Sequence, residues 1–213
     1  MRHIIWDWNG TLLDDAEAIF RCSNVVFTAR GLPAVTPDQY RASYTRPLTD
    51  FYRRLFGRDL TAAELHGLDD DFHAAYQREL ANIPLAPDAQ KALSGWRERG
   101  GTQSLLSMFR HEPLMEQVRV RGIEDEFVRI DGLVGVGGGE KAEYLHRHLE
   151  VLGLPPDDVL IVGDSLDDVA AARAVGADAV LYDGPSGGVH APELLRAAGV
   201  PVVDSLTSAY LGS

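Results

Sequence analysis

The feature that most constrains this chain is a rhythm. Short apolar runs recur along it, and stretches with helical periodicity lie between them. HIIWDW (3–8), TQSLLS (102–107), DDVLIVGD (157–164), ADAVLY (177–182) and PVVDS (201–205) read as buried strands, and FVRIDGLVGV (127–136) holds another. Between them, DAQKALSGWRERG, EPLMEQVRVRG, EKAEYLHRHLEVLG, DDVAAARAVG and APELLRAAG carry helical patterns. Three of these end in Gly with Arg in or just before the last turn, as helix C-termini do. Strands alternating with helices predict an α/β fold: a parallel sheet of five or six strands, covered on both faces.

One segment breaks the rhythm. From residue 15 to residue 84 there are helical patterns (EAIFRCSNVVFTARG, PDQYRASYT, LTDFYRRLFG and TAAELHGLDDDFHAAYQRELA) but no convincing buried strand. Pro33, Pro37, Pro47 and Pro84 punctuate it. The expected organisation is an α/β core from residues 1–14 and 85–213, with an all-helical insert over 15–84.

Composition narrows the function classes. At 213 residues and 45% hydrophobic, the chain can bury a real core. Its net charge of −12 argues against nucleic acid and anionic membrane surfaces, which need clustered Lys and Arg. A small anionic substrate needs only a local positive pocket, so it is not excluded. The single cysteine, Cys22, rules out a disulfide within the chain, and it reads as a half-buried helix residue. No signal-like or membrane-length apolar stretch is present, so a soluble cytoplasmic protein is expected, a monomer or homodimer.

In open parallel sheets, ligands bind at the carboxyl ends of the strands. There the sequence puts Asp7 after the first strand, Ser107 at the end of the second and Asp164 after DDVLIV. Lys141 begins the helix that follows the Gly-rich GVGGGEK. Each residue has a plain structural reading. Asp7 and Asp164 suit turns or helix caps, Asn9-Gly10 suits a tight turn, Ser107 suits a cap and Lys141 a solvated helix start. Together they suggest more. Two carboxylates at one edge of a low-dielectric sheet repel, so a proton or a cation must lie between them. Oxygen-only ligands suit Mg²⁺, and a cation beside a hydroxyl and a lysine makes a trap for a phosphoryl group. Lys141 is one of only two lysines, with Lys91, in a chain that otherwise uses Arg.

At these residues the chain resembles the haloacid dehalogenase-like (HAD) hydrolase superfamily, most closely its phosphoglycolate phosphatase-like branch. Four stretches match in order: DWNGT (7–11), LLSMF (105–109), GEKAEYL (139–145) and VGDSLDDVAAARAVGA (162–177). GVGGGEK lacks the Gly-Lys followed by Ser or Thr of a nucleotide loop, and its glycine spacing does not fit GxGxxG. The resemblance implies a Rossmann-like core with a helical cap and a Mg²⁺-dependent phosphatase acting on a small phosphorylated metabolite. Asp7 would be the nucleophile that becomes an aspartyl-phosphate. Asp7, the backbone carbonyl of Asn9 and Asp164 would hold Mg²⁺. Asp168 would support the site through water or Lys141, and Asp167 would be a solvated neighbour. Ser107, with backbone N–H groups such as that of Met108, would bind phosphate oxygens. Gly10 and Thr11 complete the first motif on the substrate side, and Lys141 would balance charge.

The sequence departs from the family at Asn9, where typical phosphatases carry the Asp that protonates the leaving group. An amide only hydrogen-bonds, and general acid–base help is worth roughly 10²–10⁴ in rate. Two functions therefore stay open. One is a phosphatase, slow unless Asp14, Asp15, Glu17 or a cap acid substitutes. The other is a catalytically weak phosphometabolite-binding or phosphoryl-transfer protein. Dehalogenation does not need the Mg²⁺ site, and phosphonate cleavage of the family type uses a cap lysine, absent from residues 1–90. In the insert, Tyr44 and Arg46 precede Pro47. Arg46 reads either as a solvated loop residue or as a clamp for a second anionic group of the substrate, such as a carboxylate. His146 and His148, two apart on a helix, do not face each other as a metal pair would.

Overall fold

The computed structural model describes residues 2–45, 47–134 and 140–211. The described residues divide into two compact units. One comprises Met1–Asp14, Pro84–Pro185 and Pro192–Ser213, and the other comprises Asp15–Ile83 and Ser186–Ala191.

The first unit is built on six strands: β1 (His3–Trp6), β2 (Thr102–Arg110), β3 (Ile130–Leu133), β4 (Val159–Gly163), β5 (Asp178–Tyr182) and β6 (Val202–Val203). They form one sheet in the order β3-β2-β1-β4-β5-β6, and every neighbouring pair is parallel. This is the doubly wound order, with its switch point between β1 and β4, where such sheets leave a crevice for ligands at the strands' carboxyl ends. All four residues of β1 are buried, as a central strand covered on both faces requires. Trp6 also donates a hydrogen bond from its indole N–H to Gln103 Oε1 at 2.9 Å.

The helices of this unit are α5 (Ala89–Glu98), α6 (His111–Val120), α7 (Lys141–Leu152), α8 (Leu166–Val175), α9 (Pro192–Arg196) and α10 (Ser208–Leu211). Ile5, Leu106, Ile161 and Leu181 of the sheet pack with Leu145 and Leu149 of α7 and Val169 and Ala172 of α8 in one buried cluster. The start of α8 is a capping box: Ser165 Oγ accepts from the Asp168 N–H, and Asp168 Oδ2 accepts from the Ser165 N–H at 3.0 Å. Where the chain leaves and re-enters this unit, its two stretches pair. Asp14 N–H donates to Pro84 O at 3.0 Å, and Ala86 N–H donates to Leu12 O at 2.9 Å.

The second unit is helical: α1 (Ala16–Ala29), α2 (Pro37–Ser43), α3 (Leu48–Phe56) and α4 (Ala62–Glu79). Phe20, Tyr40 and Phe51 form its aromatic centre, with the Tyr40 and Phe51 rings 4.8 Å apart. Val26, Phe27 and Leu68 form a second cluster. The unit also takes in Ser186–Ala191, a stretch distant in sequence. Val189 is buried in the aromatic cluster, and Arg41 Nε donates to Gly188 O at 2.9 Å. Among the described residues no helix is long and apolar enough to cross a membrane.

One strand boundary corrects the sequence reading. β2 does not end at Ser107 but runs on to Arg110, with its pairing to β3 shifted between Leu106 and Arg110. Nothing in SMFR stops a strand, and the irregular pairing with β3 absorbs the extra residues. Ser107 therefore does not cap the following helix, whose N-cap is Arg110.

Candidate active site

The sheet register explains why these residues meet. Trp6 lies opposite Leu105 of β2 and Val162 of β4. Continuing that register puts Asp7 at the end of β1, with Ser107 and Asp164 each one residue further on its two neighbours. The Asp7 N–H donates to Val162 O at 2.8 Å, so the carboxylate residue is still held by β4. Asp7, Asp164 and Asp168 are all buried, and one oxygen from each lies within 4.8 Å of the others.

Lys141, the first residue of α7, closes this group. Its Nζ donates to Asp7 Oδ1 at 2.7 Å and forms an ion pair with Asp168, and its side chain is only 8% exposed. Burial works against its charge, but the Asp168 and Asp7 carboxylates outweigh that and raise its pKa. Burial pushes the Asp7 carboxyl up to about 7. Lys141 opposes the rise, and the nearby Asp168 charge adds to it. Two carboxylates thus share one ammonium with a third, Asp164, close by, an arrangement short of positive charge.

Two glycines make the close packing feasible. Gly10 has φ of +70°, a conformation that side chains disfavour, and a methyl group there would strike the Asp164 carboxylate. A methyl group on Gly163 would strike the Asp168 side chain. The Asn-Gly and Gly-Asp pairs of the sequence are therefore places where carboxylates lie against bare backbone.

The other sequence-derived candidates are placed as follows. Ser107 is buried, and its hydroxyl accepts from the Phe109 N–H at 3.1 Å. Asn9 and Met108 are half-buried. Thr11 is fully buried, and its hydroxyl has no hydrogen-bond partner. Asp167 is exposed, beside the buried Asp168. Of the acids near Asn9, Asp15 is fully buried and accepts from the Tyr76 hydroxyl at 2.5 Å, while Glu17 is exposed. Tyr44 belongs to the helical unit, where it stacks on Tyr40 at 5.9 Å. Arg46 lies outside the described residues, as does the Gly-rich stretch 135–139.

Residues 4–182 match the family described as haloacid dehalogenase-like hydrolase. The chain belongs to this family. Among curated relatives of this HAD-family chain, a phosphoglycolate phosphatase from Rhodobacter capsulatus is 27% identical over 188 residues, which cover 84% of this chain and 83% of that one. An N-acetylmuramic acid 6-phosphate phosphatase from Pseudomonas putida is 26% identical over 180 residues, 83% of this chain and 80% of that one. Among solved structures, a haloacid dehalogenase-like family hydrolase from Streptococcus pneumoniae superposes with a TM-score of 0.82 at 18% identity, covering 100% of this chain and 97% of that one.

A second polar group was missed by sequence reading. His148 is fully buried. Its Nε2 lies 2.7 Å from Ser104 Oγ and its Nδ1 2.7 Å from Asp131 Oδ2. Ser104 Oγ also lies 2.7 Å from Nε2 of the buried His3. The one signal in the sequence is spacing: His148 follows Lys141 by seven residues, two helical turns on the same face. His146, by contrast, is exposed and pairs with Glu150.

Proposed function

We propose that the chain is a Mg²⁺-dependent phosphomonoester hydrolase acting on a small phosphorylated metabolite through an aspartyl-phosphate at Asp7. The observation that carries this reading is the buried Lys141 ammonium shared by Asp7 and Asp168 beside Asp164. Its three carboxylates form an oxygen-only donor set with unbalanced negative charge, which a hard divalent cation fits. Asp7, Asp164 and the Asn9 carbonyl would hold the ion, with Asp168 in support. When bound, Mg²⁺ supplies positive charge against the phosphoryl oxygens.

The chain's own residues do the rest. An Asp7 oxygen bonds to phosphorus as the bond to the leaving oxygen breaks, and that oxygen takes the electron pair and needs a proton. Water then attacks the phospho-aspartate, releasing phosphate and restoring the carboxylate. The Ser107 hydroxyl and the Met108 N–H orient phosphoryl oxygens beside the Gly10-Thr11 turn. Lys141 offsets the charge that builds on them. Tyr44 and Arg46 are proposed to contact the rest of the substrate. Two relatives of similar identity carry names for different substrates, a phosphorylated two-carbon acid and a sugar phosphate. The reading therefore stops at the class of small phosphomonoesters.

Asn9 favours a second reading, a binding or phosphoryl-transfer protein with weak hydrolysis. Its amide neither gives nor takes the proton, and Asp15 is engaged with Tyr76. The test is phosphate release with and without Mg²⁺ across phosphoglycolate, sugar phosphates, nucleotides and an aryl phosphate. Metal-dependent release from a natural ester is expected. Release from the aryl phosphate alone would show a working nucleophile with no acid, and silence from the folded protein would favour the binding reading. Asn9→Asp should raise release from poor leaving groups by roughly 10²–10⁴-fold, and no gain in a folded variant would sink that role for the position.

A further inference from the structure

We propose that His148 is a positioning residue: bonded to Ser104 of β2 and Asp131 of β3, it anchors α7 so that Lys141 reaches Asp7 and Asp168.

Lys141 and His148 stand on one helix, about 10 Å apart along its axis and within about 20° of the same direction. They engage different parts of the sheet. Lys141 bonds to Asp7 beyond β1 and to Asp168 in α8, and His148 bonds to β2 and β3. The N-cap of α7, Glu140, makes no side-chain capping bond. Leu145 and Leu149 pack on the sheet, but apolar burial is non-directional and tolerates sliding or rotation. Hydrogen bonds on both nitrogens of a buried ring tolerate neither.

The partners of His148 are themselves fixed. Asp131 also accepts from Arg129 Nε at 2.5 Å. Burial acts to raise the Asp131 pKa, yet the hydrogen bonds from His148 and Arg129 outweigh it and hold the carboxyl below its usual range. An ionised Asp131 only accepts, so His148 Nδ1 donates and the ring's orientation is set. On the other side Ser104 Oγ joins His148 to His3, whose Nδ1 lies 2.8 Å from Thr102 Oγ1. The anchor therefore spans three neighbouring strands. Misplacing a catalytic group by about 1 Å can cost on the order of 100-fold in rate, so a rigid hold on α7 bears directly on Lys141.

This inference rests on the proposed function only for its catalytic consequence, and its test separates the two. Lys141 and Lys91 are the only lysines, so acetylation followed by mass spectrometry reads each against the other. In the native protein Lys141 should be protected while the exposed Lys91 reacts. In His148→Leu the acetylation rate of Lys141 should rise about tenfold with that of Lys91 unchanged. Where the wild type releases phosphate, kcat should fall about tenfold as well. Ser104→Ala and Asp131→Ala each remove one of the two bonds and should give smaller rises of the same kind. They decide the matter if His148→Leu does not fold. Lys141 protection unchanged in the folded variants would overturn the proposal. Lost protection in a protein without phosphatase activity would uphold the anchor and count against the function alone.

Discussion

In the core unit the decisive charges are buried and bonded to one another. Lys141 lies between Asp7 and Asp168, all three side chains almost wholly removed from water. In the helical unit the ion pairs lie at the surface: Arg21 with Glu79, Arg30 with Asp71, and Arg58 with Glu64. What is buried there is mostly aromatic and aliphatic. The same pairing of opposite charges thus has two meanings. Buried pairs are sensitive to the loss of a partner, because the remaining charge is left without water. Exposed pairs are worth little, because water and salt compete for them. The core spends its polar groups on a fixed geometry, and the helical unit is held by apolar packing that leaves its surface free to vary.

This contrast can be broken in a graded way. Asp7→Asn should abolish Mg²⁺-dependent phosphate release, a loss on the order of 10⁴–10⁶-fold for removal of a nucleophile. Its melting temperature should change little, because Lys141 keeps Asp168 as a partner and the site loses a negative charge that burial disfavours; substantial residual turnover would refute the nucleophile role. Phe51→Ala, at the centre of the helical unit and 1% exposed, should do the reverse. It should cost about 3–5 kcal/mol of stability, read by denaturant unfolding. Acetylation of Lys141 under native conditions should stay suppressed, and loss of that protection would show that the two units do not separate as described.

Acid should sharpen the comparison further. Burial, and secondarily the charge of His148, lower the His3 pKa from 6.5 to about 4. Between those values the unfolded chain binds a proton that the folded chain refuses. Stability therefore falls as pH drops from about 6.5 towards 4, and this contribution levels off below that. Hydrogen exchange at pH 5 should show β1 and β2 losing protection before α3 and α4. Equal loss in both units would mean that His3 does not govern the response. The smallest effect is expected for Arg21→Ala, which should shift the melting temperature by no more than about 2 °C.

The fold was legible because its signals are local. Each strand is an apolar run and each helix a periodic pattern, so all six strands were expected where they occur. Asp7, Lys141 and Asp164 could be suspected because topology puts strand ends on one edge. Ser107 was misjudged as a terminus because no glycine or proline marks the end of β2. The His3–Ser104–His148–Asp131 chain was hidden for a different reason. Its members lie 101, 44 and 17 positions apart, and a polar residue inside a strand gives no periodic sign of its partner. The membership of Ser186–Ala191 in the helical unit was equally unreadable, since GPSGGVH looks like an ordinary turn.

That last feature bears on how these modules can be exchanged. A helical unit made of one uninterrupted insert could be moved between relatives by two cuts. This one is assembled from two separate pieces of chain, and the shorter piece supplies Val189 to its aromatic centre and backbone carbonyls to Arg41. A chimera that transplants only 15–83 would leave the aromatic cluster without its plug and the Arg41 guanidinium without the Ser186 and Gly188 carbonyls, with only Asp38 still beside it. A working exchange needs four junctions, and inheritance of the two pieces must be coordinated even though about 100 residues of core lie between them.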